Sequence, residues 1–170
     1  LVRKGGEQAI NARNIALVLN CSTQPVFSNF ATMEELRLAT TKRADKLCQE
    51  YMLYEVERGE FPPYKATGMA YIRFAKEEKE LFKLLFMRDR KGEDISPTPD
   101  FTESVNMIMK ANSVTREKAE LMHLEMWTCV HGIGTMFATS FLSLDWDTVS
   151  DMITDVYQGI RTRHLSEENT

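Results

Sequence analysis

The chain has 170 residues, of which 43% are hydrophobic, with Met (10) and Phe (9) abundant and a net charge of −4. This is globular material for one domain of ordinary size, or for a small module fused to a larger one. Its three cysteines lie far apart with no Cys-x-x-Cys pair, which argues against a disulfide framework or a zinc site and fits a reducing, cytoplasmic setting.

The apolar spacing is helical nearly throughout, so the expected fold class is all-α. "LVRKGG" reads as the tail of a helix running into a glycine stop, so the start of helix one is expected upstream of Leu1. Asn11 can cap a helix with Ile15, Ala16 and Leu19 on one apolar face. "STQPVFSNF", residues 22 to 30, is too short to hold a helix by propensity, with small polar residues on one side and apolar ones on the other. Ser22 is its expected cap, and Pro25 falls in its first turn, where a missing N–H costs little. Thr32 with Glu35 forms a capping box for a long helix to Arg58, with Leu36, Leu47, Tyr51 and Tyr54 as buried candidates. Gly59 and Pro62-Pro63 stop it.

A further run begins at the proline pair. Tyr64, Gly68, Tyr71 or Ile72, and Ala75 recur at helical spacing, and Phe82, Leu85 and Phe86 continue the pattern. Residues 90 to 99 are the most loop-like stretch. Phe101, Val105 and Ile108 mark another amphipathic helix. The longest pattern spans residues 114 to 141 and is apolar on nearly all sides in its second half. Within it, Met126 to Leu144 lacks charged residues but is broken by hydroxyls and His131, so a buried helix is expected rather than a membrane span. Asp145 should cap a final helix, and the tail "SEENT" is polar.

Charge is uneven along the chain. Residues 1–46 carry seven basic and four acidic side chains, a net +3, and the remaining 14 basic and 21 acidic residues give −7. A basic end on an acidic body suggests that the first part meets a polyanion. Short helices followed by a long one, with the positive charge in front, is the order of a helix-turn-helix module. In that reading Val26 and Phe30 face inward onto Ile15 and Leu19. Thr23, Gln24, Ser28 and Asn29 face outward, where they can bond base edges or phosphates.

Residues 6 to 38, "GEQAINARNIALVLNCSTQPVFSNFATMEELRL", resemble the DNA-binding domain of the TetR family of bacterial transcriptional regulators. The similarity rests on Gly6, Ala9, Arg13, Ile15, Ala16, Ser22, Thr23, Phe27, Phe30, Glu34, Glu35 and Leu36. It implies a helix-turn-helix domain over residues 1–46, followed by a ligand-binding and dimerisation bundle over 47–170. It also implies DNA contacts from Asn11, Arg13, Ser22, Thr23, Gln24, Pro25, Phe27, Ser28, Asn29 and Met33. Three positions depart from the family pattern: Phe27 stands for Tyr, Asn29 for His and Met33 for Lys. Each lost phosphate contact weakens binding to all sequences alike.

"WTCVHG", Trp127 to Gly132, resembles the Trp-x-x-x-His-Gly signature of one C-terminal domain type in that family. In such proteins the last two helices pair with those of a second subunit and the middle helices enclose an inducer. The resemblance thus implies a homodimer on a palindromic double-stranded DNA operator, with Gly134, Phe137, Phe141, Val149, Met152, Ile153, Val156 and Ile160 at the dimer interface. Gly132, Gly134, Ala138 and Ser140 would permit close helix approach. Met69, Tyr71, Phe74, Phe82, Phe86, Met107, Trp127 and His131 are candidates to line a pocket for an apolar or aromatic small molecule, although for any single one of them plain core packing is the simpler reading. His131 is read first as a core histidine bonded to a backbone carbonyl, His123 as lying on a solvated face, and Arg73 likewise as solvated. Cys129 with His131 lacks metal-ligand spacing, and no nucleophile triad, phosphate loop or carboxylate pair stands out. No cofactor, metal, membrane or catalytic role is expected. The alternative is a ligand- or partner-binding helical dimer with weakened DNA binding.

Overall fold

Helix boundaries follow the caps written into the chain. The computed structural model describes residues 1–89 and 101–166, and over these it is all-helical, with nine α-helices and no strand. The loop-like residues 90–99 and the end of the tail lie outside the described residues. Helix α1 (Val2–Gly5) stops at Gly6, whose φ of 65° suits glycine, and a 3-10 turn over Glu7–Ala9 follows. In α2 (Ala12–Leu19) the Asn14 N–H donates to the Asn11 side chain at 2.9 Å. Helix α3 spans Gln24–Asn29 with proline in its first turn. Its N-cap is Thr23, not Ser22, and no side chain caps it. Thr23 already has helical backbone angles, so the extended geometry that lets a hydroxyl reach back to the first turn is missing.

Helix α4 (Met33–Arg58) opens on the expected capping box. The Glu35 N–H donates to Thr32 Oγ1 at 3.1 Å, while the Glu35 carboxylate accepts from the Ala31 N–H at 2.7 Å. It ends at Gly59, φ 68°. The helix runs unbroken across the expected boundary at residue 46, so the two parts of the chain share it. Tyr54 is exposed on it rather than buried, and Leu47 and Tyr51 are half-buried.

Helix α5 (Pro63–Glu77) lies at the centre and buries Ala66, Met69, Ala70, Tyr71, Ile72, Phe74 and Ala75 against α4, α8 and α9. The apolar pattern does not continue straight into α6 (Lys79–Phe86). The backbone breaks at Glu78, and the new direction sets Phe82 against α8 at Gly134. Then come α7 (Thr102–Asn112), α8 (Arg116–Ala138) and α9 (Trp146–Ser166). Helix α8 is shorter than the 114–141 pattern and shorter than α4. Thr115 caps its start, and Ser140 in the left-handed region ends its run. Asp145 accepts the Thr148 N–H at 2.8 Å at the head of α9.

One continuous core joins Val2, Ile10, Val26 and Leu36 to Phe74, Phe82, Val130 and Val149. A second cluster, Val105, Ile108, Val114, Ala119 and Met122, closes the far end, and Tyr64, Tyr157 and Ile160 touch both. Among the described residues no helix is long and apolar enough to cross a membrane.

Candidate functional site

Two regions gather the residues singled out in the sequence. The first is the pair α2–α3. Val26 is buried, with Ile15 and Phe30 packed against the core beside it. Leu19 does not join them: it is 63% exposed, because α2 ends there and the chain turns away through left-handed Asn20. Arg13, Ser22, Thr23, Gln24, Pro25, Phe27, Ser28 and Asn29 are all exposed. Ser28 Oγ donates to the Gln24 carbonyl at 3.0 Å and Asn29 Nδ2 to the Pro25 carbonyl at 2.8 Å, so both donors turn back onto their own helix. Asn11 is half-buried and occupied as the cap of α2. Met33 is half-buried against the core, where a thioether loses nothing by leaving water. The last turn of α2 exposes Leu17, Val18 and Leu19, with Leu17 73% exposed.

The second region is an aromatic and histidine cluster between α5, α6 and α8. His131 stacks on Trp127 (ring centroids 5.0 Å, 19°) and on Phe82 (5.8 Å, 26°), with Phe86 edge-on at 6.3 Å. Its Nδ1 lies 2.8 Å from the Tyr71 hydroxyl, so its partner is a side chain on α5 and not a backbone carbonyl. Burial holds the imidazole below its ordinary pKa and the Tyr71 phenol well above its own. Of the expected pocket residues, Tyr71, Phe82, Phe86, Trp127 and His131 meet here. Met69 and Phe74 are fully buried core, Phe74 packing edge-on to Tyr51 of α4 at 5.4 Å, and Met107 is half-buried on α7.

His123 corrects the expectation of a solvated face. It is 7% exposed, its Nδ1 is 2.8 Å from the Tyr64 hydroxyl, and Phe101 packs edge-on to it at 4.4 Å. The signal was present: residues 123, 127 and 131 stand four apart and therefore share a face of α8. Phe101 also touches Trp127, at 5.9 Å, and so links the two histidines' surroundings.

Arg73 is not on a solvated face either. It pairs with Glu55 at 2.9 Å and stacks over Trp146 at 4.9 Å. Glu55 is 1% exposed and also faces Arg58 at 3.3 Å, so a charged group of α4 is held inside by two arginines. A separate tie joins the two ends of the chain's first half. Arg3 Nε and Nη2 each donate to the Glu78 carboxylate at 2.7 Å, fastening α1 to the α5–α6 break. Two open surface hollows, of about 650 and 330 Å³, lie beside this tie and beside α4, away from the aromatic cluster.

The expected dimer residues divide. Gly134, Phe137, Val149 and Ile153 are buried within the single chain, because α8 and α9 turn these positions onto α5 and α6. Ile160 is half-buried against both cores. Phe141, Met152 and Val156 remain exposed, and so do Leu121, Leu124 and Leu142. A Cβ built at Gly132 or Gly159 would meet nothing within 4 Å. Among the described residues no group of three or more His, Cys, Asp or Glu is arranged to hold a metal ion. Comparison of the chain with family models, with curated proteins and with solved structures found no match.

Proposed function

We propose that this chain is a DNA-binding transcriptional regulator of the TetR type. It would act as a dimer, more readily as a repressor, and would be released from a palindromic operator by a small apolar or aromatic molecule. The observation that carries the reading is α3: Val26 anchors it from below while Thr23, Gln24, Ser28 and Asn29 stand in solvent on a segment of net charge +3. Short polar residues on a helix held by packing are suited to entering a major groove. The exposed apolar residues of α8 and α9 (Leu121, Leu124, Met152 and Val156) support self-association, which would supply the second reading helix. An effector among Tyr71, Phe82, Trp127 and His131 would act on α6, and the Arg3–Glu78 tie connects the start of α6 to α1. Such a ligand can shift DNA binding only by unequal affinity for the two forms. Ordinary coupling of about 1–3 kcal/mol corresponds to roughly a 5- to 150-fold change.

A second reading has its own support. Leu17, Val18, Leu19 and Phe27 are large apolar side chains exposed on the α2–α3 pair, which suits a protein partner better than phosphates. In that case the chain is a ligand- or partner-binding dimer with weakened DNA binding. Selection of bound duplexes from random DNA at about 50 mM salt separates the two, since phosphate contacts are strongest there. The regulator reading expects a palindromic consensus, affinity that falls steeply toward about 200 mM salt, and an altered consensus for Gln24→Ala. Failure to enrich any duplex at the lower salt rejects it in favour of the second.

A further inference from the structure

Beside the aromatic cluster, Nε2 of His123 is a buried polar atom with no hydrogen-bond partner among the described residues. Tyr64 brings its hydroxyl to Nδ1 at 2.8 Å, which leaves Nε2 without a partner among the described residues. Burial lowers the His123 pKa to about 4 and raises that of Tyr64, so the pair is a neutral imidazole and a protonated phenol near pH 7. A neutral ring has one N–H. If it were on Nδ1, the phenol hydrogen would have no acceptor and Nε2 no donor, which strands two groups. If the phenol donates to Nδ1, the ring hydrogen sits on Nε2 and only that one group is stranded. The second arrangement is favoured, because it leaves one buried group unsatisfied instead of two.

The surroundings select what could satisfy it. Phe101 and Tyr64 are ring neighbours of His123 at 4.4 and 5.8 Å, and Trp127 continues the wall from Phe101. These neighbours present aromatic faces around the buried His123 Nε2. A carboxylate would give up its hydration for a single neutral donor, and an ammonium, having only donors, would leave the Nε2–H unsatisfied. We propose that the His123 side of the cluster is a binding site for an uncharged, largely apolar molecule bearing one hydrogen-bond-accepting oxygen, such as a ketone, ester or ether, with His123 Nε2–H donating to that oxygen. The proposal deepens the effector part of the regulator reading, and it names a residue for the role that the sequence did not.

The test uses matched probe pairs, indane with 1-indanone and naphthalene with 2-acetylnaphthalene, plus 2-naphthoate as the anion, titrated against the full chain by tryptophan emission and calorimetry. The carbonyl member of at least one pair should bind about tenfold tighter than its hydrocarbon, the worth of one neutral hydrogen bond in a dry site, and 2-naphthoate should bind more weakly than either. His123→Phe should retain hydrocarbon binding and lose the carbonyl preference. Tyr64→Phe leaves the histidine in place but removes the group that sets its tautomer, so the preference should shrink. Equal binding within both pairs, absence of probe binding, or a preference that survives His123→Phe overturns the proposal. Duplex binding measured on the same protein keeps the two ideas apart. Duplex binding without a carbonyl preference rejects this site alone, and a carbonyl preference without duplex binding rejects the regulator reading alone.

Discussion

Gly134→Ala and Gly132→Ala lie two residues apart on α8 and should move stability in opposite directions. A Cβ at position 134 would sit 3.2 Å from Phe82 Cζ and 3.3 Å from Ala75 Cβ. Neither neighbour can yield easily. Ala75 moves only with the α5 backbone, and Phe82 is fully buried with the rings of Phe86, Tyr71 and His131 at 5.0, 5.3 and 5.8 Å. Alanine gains about 1 kcal/mol over glycine in a helix interior, whereas overpacking a rigid core costs about 1–3 kcal/mol. The balance at 134 is a loss of about 1 kcal/mol. At 132 a Cβ meets nothing within 4 Å, so only the helical gain remains. The gap of about 2 kcal/mol is roughly a 30-fold difference in the folding constant. Urea unfolding followed by circular dichroism measures it, at several protein concentrations because self-association couples stability to concentration. If Gly132 faces a second copy, Gly132→Ala also weakens association while stabilising the single chain. Equal stability of the two variants would refute the claim that α5, α6 and α8 meet at Gly134 with no room to spare.

Two further outcomes follow from buried charge and buried imidazole. Arg73→Met leaves Glu55 with Arg58 alone and should cost about 2–3 kcal/mol, below the range for a fully buried pair because one arginine stays. Combining it with Glu55→Met should restore most of that loss in the same urea assay, and a double variant no better than Arg73→Met would mean the pair carries no buried-charge penalty. The His123 pKa is depressed from 6.5 to about 4, so between those values the unfolded chain binds a proton that the folded chain refuses. Stability is therefore full above about pH 6.5 and declines as pH falls toward about 4, with His131 acting in the same direction. His123→Phe should flatten the dependence of the urea midpoint on pH across that window, and an unchanged slope would mean that His123 is solvated in the folded chain.

Much of the helical framework was legible because helix ends are local chemistry. Asn11, the Thr32–Glu35 box, Gly59 and Asp145 each act within one turn of their own position, so short-range residue preferences located them. The errors share a cause of the opposite kind. Ser22 suits a cap by its residue type alone, but the tertiary path into α3 puts Thr23 in helical geometry. The break at Glu78 has no proline or glycine to announce it, and it comes where α6 turns to reach α8 and where Arg3 of α1 binds. The aromatic cluster was half visible. Trp127 and His131 stand out in the sequence and the four-residue spacing puts His123 on their face of α8, whereas its partner Tyr64, 59 positions away, has no signal in the order of the chain.

By itself the sequence determined that this protein is all-helical, where most of its helices start and stop, and that a basic first part precedes an acidic remainder, because spacing, capping and charge are properties of neighbours along the chain. Tertiary structure alone decided which faces are inside. It placed Glu55, Arg73 and His123 in contact with partners from other helices, sent Gly134, Phe137, Val149 and Ile153 into the single-chain core, and left Leu17, Val18 and Leu19 in water. The reason is that an apolar stripe specifies that something must cover it, whereas what covers it depends on how helices far apart in sequence are brought to pack.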